Sequence, residues 1–377
     1  ALQRDGNNGV VYVSSGEGTT SQGDFHEALN WASRTKAPVI FHVENNGYAI
    51  SVPIEDQTAG GSVYKISAGY ENLDRIQIDG TDYFESLLAF NKAVDRARKG
   101  HGPTVIESIV VRLLPHSSSD DHRKYRSEED LEKDEKNDPI LKFRDLCIGR
   151  KIITEKEFMK FEDEIINQID QDAIWAEEQS DPDDPMKNLY VDENVFENDL
   201  QTLENDVVLV DAINHAMDEE LNYNEKLLIY GQDVADGKGG VFTATKGLTS
   251  KYGKERVFNS PLAESSIIGT AIGLATLGYK PVVEIQFGDY IWTSMMQIRN
   301  ELATMYYRSN GNWSCPVVVR VPVGGYIHGS LCHSQSIDGY FAHLPGIKIA
   351  YPSNAADAKG LLKAACRMNN PVLFFEH

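Results

Sequence analysis

VVYVSSGEGTTSQGDFHEALNWASRTKAPVIFHVENNGYAI, residues 10–50, decides the fold. A β-rich run, VVYVSS, leads into Gly16-Glu17-Gly18 and a helix-like SQGDFHEALNWASR. A second apolar run then ends in Asn45-Asn46-Gly47-Tyr48. Strand, helix and strand in that order make a parallel α/β unit. Its two strand ends share one crevice, the place where open α/β sheets bind ligands. A carboxylate from one end and an amide from the other offer hard oxygens to a cation that keeps few protein ligands, as Mg²⁺ does. The glycines let backbone approach a diphosphate, and the helix N-terminus favours its charge. A Gly-acid-Gly triplet alone is an ordinary turn; the asparagine pair at the matching strand end turns it into a candidate site.

The alternation continues outward through RIQID, YFESLLAFNKAVDRARKG and PTVIESIVVRL. A polar loop follows, LPHSSSDDHRKYRSEED, and the spacing of apolar residues predicts helices over 140–150 and 154–178. The stretch SDPDDPMKNLYVDENVFENDLQTLEND is acidic and poor in apolar residues, as a linker is. Alternation then resumes with a helix over 210–221, the strand LLIYGQD, VFNSP, a small-residue helix ESSIIGTAIGLATLG and the strand KPVVEIQF. A helix over 291–307, PVVVRV, the histidine-bearing VGGYIHGSLCHSQS, GIKIAYP, a helix over 355–368 and PVLFFE complete it. The expected fold is α/β, with two domains of mostly parallel sheet and helices on both faces, over 1–180 and 207–377, joined by a linker over 181–206. Strands of buried type are entered at residue 10 and left at Phe374-Phe375 without covering helices, so the chain is expected to be partial at both ends.

A chain of 377 residues, 41% hydrophobic and 25% charged, has the balance of a soluble protein with room for two cores. The formal charge of -21 argues against nucleic acid as a partner, because that affinity rests on Lys and Arg neutralising phosphates. No run of 18 apolar residues occurs, and ALQRDGNNGVVYVSS has neither the basic start nor the apolar stretch of a secretory signal, so no membrane partner is expected. Cys147, Cys315, Cys332 and Cys366 show no C-x-x-C spacing and are expected to be reduced packing thiols.

GEG followed by ENNGYAI resembles the thiamine diphosphate fingerprint in the α subunit of 2-oxo acid dehydrogenases. Most of that superfamily has Asp at the middle position; Glu17, followed by TTSQGDFHEALNWA, is similar to the branched-chain branch. The resemblance runs on through YAISVP and HSSSDDHRKYRSEED and covers most of residues 8–178. It restarts as the β subunit in YGQDVADGKGGVF, VFNSPLAES, EIQFGDYIW, HGSLCHSQS, FAHLPGIKIAYPSNAADAKGLL and NNPVLFFE. It therefore implies the decarboxylating component with α and β fused, nearest to the 2-oxoisovalerate type.

By that resemblance Mg²⁺ is held by the Glu17 carboxylate, the Asn46 side chain and the Tyr48 carbonyl, with Gly16, Gly18 and Thr19 beside the diphosphate of thiamine diphosphate. Ile50 props the bent cofactor. Glu44 stands where the branched-chain family usually places an Arg, and cannot bind a phosphate. Glu264, next to Leu262 at the start of an apolar helix, shares a proton with the aminopyrimidine ring and is expected to be desolvated. Gln286 and Tyr290 pack at that ring, and His116 and His333 face the substrate. The implied cofactors are thiamine diphosphate, Mg²⁺ and a structural monovalent cation. The implied reaction is oxidative decarboxylation of a 2-oxo acid with acyl transfer to the lipoyl domain of an acyltransferase core, by a dimer of the fused chain. The expected location is bacterial cytoplasm or, as the alternative, the mitochondrial matrix. A pyruvate or acetoin dehydrogenase component is the same-class rival; a non-catalytic assembly subunit is the rival of another class. The loop 115–126 has almost no apolar residue and is expected to be mobile until the cofactor binds. Its Ser117 occupies the place of a phosphorylation site in mitochondrial relatives.

Overall fold

The computed structural model describes residues 1–193 and 207–377; the rest of the expected linker, 194–206, lies outside the described residues. The described chain forms two compact units that divide at Asp183 and Asp184.

The first unit holds strands β1 (Val11–Gly16), β2 (Val39–Asn45), β5 (Asp74–Asp79) and β6 (Thr104–Ile109) in the order β1-β2-β6-β5, all parallel. A small hairpin of β3 (Tyr48–Ala49) and β4 (Val52–Pro53) follows β2. Residues alternate between faces along a strand. Phe41, Val43 and Val105 accordingly pack with Leu29 and Ala32 of helix Gly23–Thr35, while Ile40 and Ile106 pack with Ala89 and Ala93 of helix Tyr83–Arg98. The latter helix starts where Asp82 accepts from the N–H groups of Phe84 and Glu85 and ends on Arg96 and Arg98, which suit its negative end. β1 departs from the buried type expected: it is an edge strand with Val11, Tyr12 and Val13 exposed. After β6 come helices Glu128–Lys136, Pro139–Gly149 and Glu155–Glu177, the last opened by a capping box between Thr154 and Glu157.

The second unit is one parallel sheet of β7 (Leu227–Gly231), β8 (Val257–Asn259), β9 (Lys280–Glu284), β10 (Val318–Pro322), β11 (Lys348–Ala350) and β12 (Val372–Glu376), ordered β11-β12-β10-β9-β7-β8. Its central strands are buried end to end, because helices cover both faces. Helices Leu209–Tyr223 and Ala355–Arg367 pack together over Leu227, Ile229, Val282 and Phe374. Tyr230, one residue on and so on the opposite face, donates to the Ile267 carbonyl of helix Glu264–Ala275 at 3.2 Å. Arg320 of β10 lies buried between Glu284 of β9, at 2.9 Å, and Glu376 of β12, at 2.6 Å. Burial pushes the Glu376 carboxyl up despite that guanidinium.

The helix expected over 291–307 is broken instead into a 3-10 turn Gly288–Ser294, a π stretch Gln297–Leu302 and a short helix Met305–Arg308. Hydroxyls there bond back to the main chain, Ser294 to the Ile291 carbonyl and Thr304 to that of Asn300, and so compete with a regular ladder. The expected linker is not a free connector throughout, since residues 188–193 lie docked on the second unit. All four cysteines are free: Cys315 and Cys366 are buried, with burial pushing both thiols up to about 12, whereas Cys332 is exposed rather than packed. Among the described residues no helix is long and apolar enough to cross a membrane.

Candidate functional site

In the first unit the ends of β1 and β2 meet as neighbours, Gly16 opposite Glu44. Glu17 turns inward from the end of β1 and is buried. Its Oε2 accepts the Asn46 N–H at 3.2 Å, and its Oε1 is a buried oxygen with no hydrogen-bond donor. Burial pushes this carboxyl up, against the pull of backbone N–H groups and of the Arg112 charge. Asn46 Oδ1 in turn accepts the Tyr48 N–H at 3.1 Å, so the carboxylate, the amide and the Tyr48 main chain are contiguous. A buried carboxylate oxygen without a donor suits a cation better than it suits apolar surroundings. The donor set fits Mg²⁺, which would take its remaining ligands from phosphate and water. Among the described residues no cluster of three or more His, Cys, Asp or Glu side chains could hold a metal, so a cation here would rest on one carboxylate supplemented by amide and carbonyl oxygens. Gly18 is required by close approach: a Cβ there would lie 2.6 Å from the Ala49 Cβ.

Thr19 is exposed, and its neighbour Thr20 is the buried hydroxyl, donating to the Glu17 carbonyl at 2.7 Å. Glu107, a charge inside the apolar run of β6, carried no motif signal. It accepts from Asn45 Nδ2, Ser62 Oγ, the N–H groups of Val63 and Tyr64, and Gln77 Nε2. Asn45 thus anchors the turn from behind, leaving Asn46 to face Glu17.

Ile50 sits at φ 57°, a left-handed conformation that β-branched residues rarely adopt, and is 53% exposed. Arg112 holds it there, donating to the Ile50 carbonyl at 2.7 Å and to the Tyr125 hydroxyl at 2.7 Å. Tyr125 donates to Asp120 at 2.6 Å, and Asp120 accepts the His116 N–H at 3.0 Å. A chain of polar contacts therefore runs from Ile50 to His116. Arg112 is also the basic group brought to this end of the sheet, where Glu44 is engaged with Ser14 at 3.0 Å.

In the second unit β8 lies on one side of β7 and β9 on the other, so the crevice at the carboxyl ends of β7 and β9 is a topological switch point. Glu264 is buried there at the start of its helix. Gln232 Nε2 donates to its Oε1 at 3.0 Å, and the Thr293 hydroxyl lies 3.3 Å from its Oε2. Leu262 projects outward, 80% exposed. Gln286 does not reach Glu264 and donates to Asp233 at 2.9 Å. His333 Nδ1 lies 3.3 Å from the Gly329 carbonyl, and its Nε2 lies 2.7 Å from the Tyr290 hydroxyl. Phe287 packs edge-on against that imidazole, with centroids 4.7 Å apart. Gln232 and Thr293 carried no sequence signal, because neither residue type marks a site until it is seen beside Glu264.

Residues 1–184 match the family described as Dehydrogenase E1 component, and residues 206–377 the family described as Transketolase, pyrimidine binding domain. Over 168 residues, 45% of this chain and 51% of the relative, the chain is 54% identical to the 2-oxoisovalerate dehydrogenase subunit beta of Bacillus subtilis (strain 168). It is 46% identical over 171 residues to the pyruvate dehydrogenase E1 component subunit beta of the same organism, 45% of this chain and 52% of that one. It is 49% identical over 169 residues to the mitochondrial 2-oxoisovalerate dehydrogenase subunit beta of Dictyostelium discoideum, 45% of each chain. The chain spans about half the length of these curated relatives.

Proposed function

We propose, from a chain whose two halves match the family models of the dehydrogenase E1 component and of the transketolase pyrimidine-binding domain, that this protein is a thiamine diphosphate-dependent 2-oxo acid dehydrogenase component. In this reading it takes branched-chain 2-oxo acids, passes the acyl group to a lipoyl arm on an acyltransferase, and works as a dimer. The observation that carries it is Glu264, a buried carboxylate clasped by Gln232 and Thr293 at the switch point of a parallel sheet. When bound, thiamine diphosphate supplies the electron sink for decarboxylation. Glu17, Asn46 and the Tyr48 carbonyl would hold Mg²⁺ against the diphosphate. Glu264 would hold a proton at the pyrimidine ring nitrogen, with Gln232 fixing which carboxylate oxygen faces away from that proton. His333, paired at Nε2 with the Tyr290 hydroxyl, would receive or deliver a proton at the substrate, and His116 would contact the substrate carboxylate.

Pyruvate is the second substrate reading, supported by the 46% identity to a pyruvate dehydrogenase subunit, which is lower than the 54% to the 2-oxoisovalerate relative. The test is calorimetric binding of thiamine diphosphate with and without Mg²⁺, followed by dye-linked decarboxylation of 3-methyl-2-oxobutanoate and pyruvate. Mg²⁺-dependent binding with faster turnover of the branched acid is expected. Binding without turnover of either acid would favour the non-catalytic assembly role.

A further inference from the structure

The π stretch Gln297–Leu302 buries Ile298 and Leu302 and leaves Arg299 on the wall of a cavity of ≈ 550 Å³ in the second unit, a size that suits a small molecule. Arg308 and His343 line the same cavity, and Glu301 is the single carboxylate among its lining residues. The cavity is therefore net positive in a chain of formal charge -21. π turns recur at functional sites. Here the Asn300 carbonyl accepts from Thr304 Oγ1 at 2.5 Å and from Arg308 Nη1 at 3.0 Å, which fixes that guanidinium at the cavity. The same Nη1 meets Glu301 Oε2 at 2.9 Å, and Arg308 Nε and Nη2 donate to no group among the described residues. Arg299 Nη1 donates to Asn300 Oδ1 at 2.8 Å, and among the described residues Arg299 has no ion pair. With 57 acidic against 36 basic side chains in the chain, a guanidinium without a carboxylate is the less expected outcome. His343 arrives from a separate segment. Gly346, at φ 89°, stands where a Cβ would collide with the Ala303 carbonyl, so the turn 342–346 seats on the end of the π stretch and brings His343 to the cavity wall.

We propose that this cavity is a binding site for a small phosphorylated anion, held by Arg299 and Arg308 with His343 as a further donor. Guanidinium forks bond the paired oxygens of phosphate and of carboxylate alike. Donors on three side chains from two segments match the three terminal oxygens of a phosphate group better than the two of a carboxylate. A free phosphate and a phosphate ester share this chemistry, and the volume leaves room for the organic part of an ester. None of these residues has a part in the proposed catalysis, so the site does not rest on that reading.

The test is calorimetric titration of the full chain with inorganic phosphate, ribose 5-phosphate and acetate at constant ionic strength, with Mg²⁺ and thiamine diphosphate present to fill the cofactor crevice. Both phosphates are expected to bind, and acetate to bind about tenfold more weakly or worse. An ester tighter than the free ion supports the site and names an ester as its ligand; equal affinities support it with free phosphate as the ligand. Arg299→Gln should weaken phosphate binding by about tenfold or more, through loss of a charge-assisted contact, whereas Glu17→Ala in the first unit should leave it unchanged. Arg299→Lys should recover part of the loss, because it keeps the charge without the fork. Arg299 is exposed, and thermal melts of the variants check that folding is intact. Absence of phosphate binding, acetate bound as tightly as phosphate, or a loss in Glu17→Ala in place of Arg299→Gln would overturn the proposal.

Discussion

Glu107 gathers five donors in an interior with no exposure, and burial alone would raise its carboxyl; the hydrogen bonds from Ser62, Tyr64, Val63 and Asn45 bring it below the usual range instead. Glu107→Ala strands all of them and is expected to cost about 3–5 kcal/mol in urea unfolding. A depressed folded value means that the contribution is present above the ordinary carboxylate range and is lost as pH falls through the folded value. The variant's deficit should therefore shrink in acid, and a deficit independent of pH would contradict the assignment. Gln232 is the counterpart at Glu264. Gln232→Leu removes the donor to Oε1 and should slow proton exchange at the thiazolium carbon by about tenfold, from loss of one hydrogen bond to a charged group. Glu264→Gln should abolish that exchange while sparing Mg²⁺-dependent affinity. NMR of the bound cofactor separates the two, and equal rates in Gln232→Leu and the parent would leave Gln232 without a role.

The loop 115–126 has the polar composition that predicts mobility, yet its second half is pinned. Arg126, buried, bonds the Arg112 carbonyl at 2.9 Å and Asp134 at 2.5 Å. Proteolysis of the apo protein should therefore cut around Ser117 and spare the stretch next to Arg126. Arg126→Leu, which leaves Asp134 without its ion pair, should open the whole loop and cost about 3 kcal/mol. Ser117→Glu should lower turnover strongly with cofactor affinity nearly unchanged, by setting a carboxylate beside His116. Cleavage spread evenly over the loop of the parent protein would refute the pinned geometry. Apolar periodicity located the strands and capped helices, because a burial pattern is written into every third or second residue. It did not reveal the break in 291–307 or the pin at Arg126. Both depend on single polar groups finding main-chain partners that lie elsewhere in the fold, and sequence spacing carries no record of those.

Across the whole molecule, charge and burial set the response to conditions. Lys280 opens β9 deep in the second unit, where burial brings its ammonium down to about 8 and Nζ donates to the Met368 carbonyl at 2.7 Å. The ordinary value is 10.5, so between the two the unfolded chain binds a proton that the folded chain does not. Stability should therefore rise with pH across that window, by about 3 kcal/mol at most, and Lys280→Met should flatten the rise. Urea midpoints measured from neutral to alkaline pH test this; an unchanged slope in the variant would sink it. The docking of 188–193 was likewise hidden in a stretch whose acidity suggested only solvent, since a carboxylate that caps a distant turn looks the same in sequence as one in water. The buried Arg320 between Glu284 and Glu376 has a consequence for temperature. Hydration of charged groups weakens on heating, so stripping water from these three side chains costs least when the protein is warm. The central sheet of the second unit thus carries a penalty that eases with heat, and an apolar replacement of all three groups would yield its greatest stabilisation in the cold.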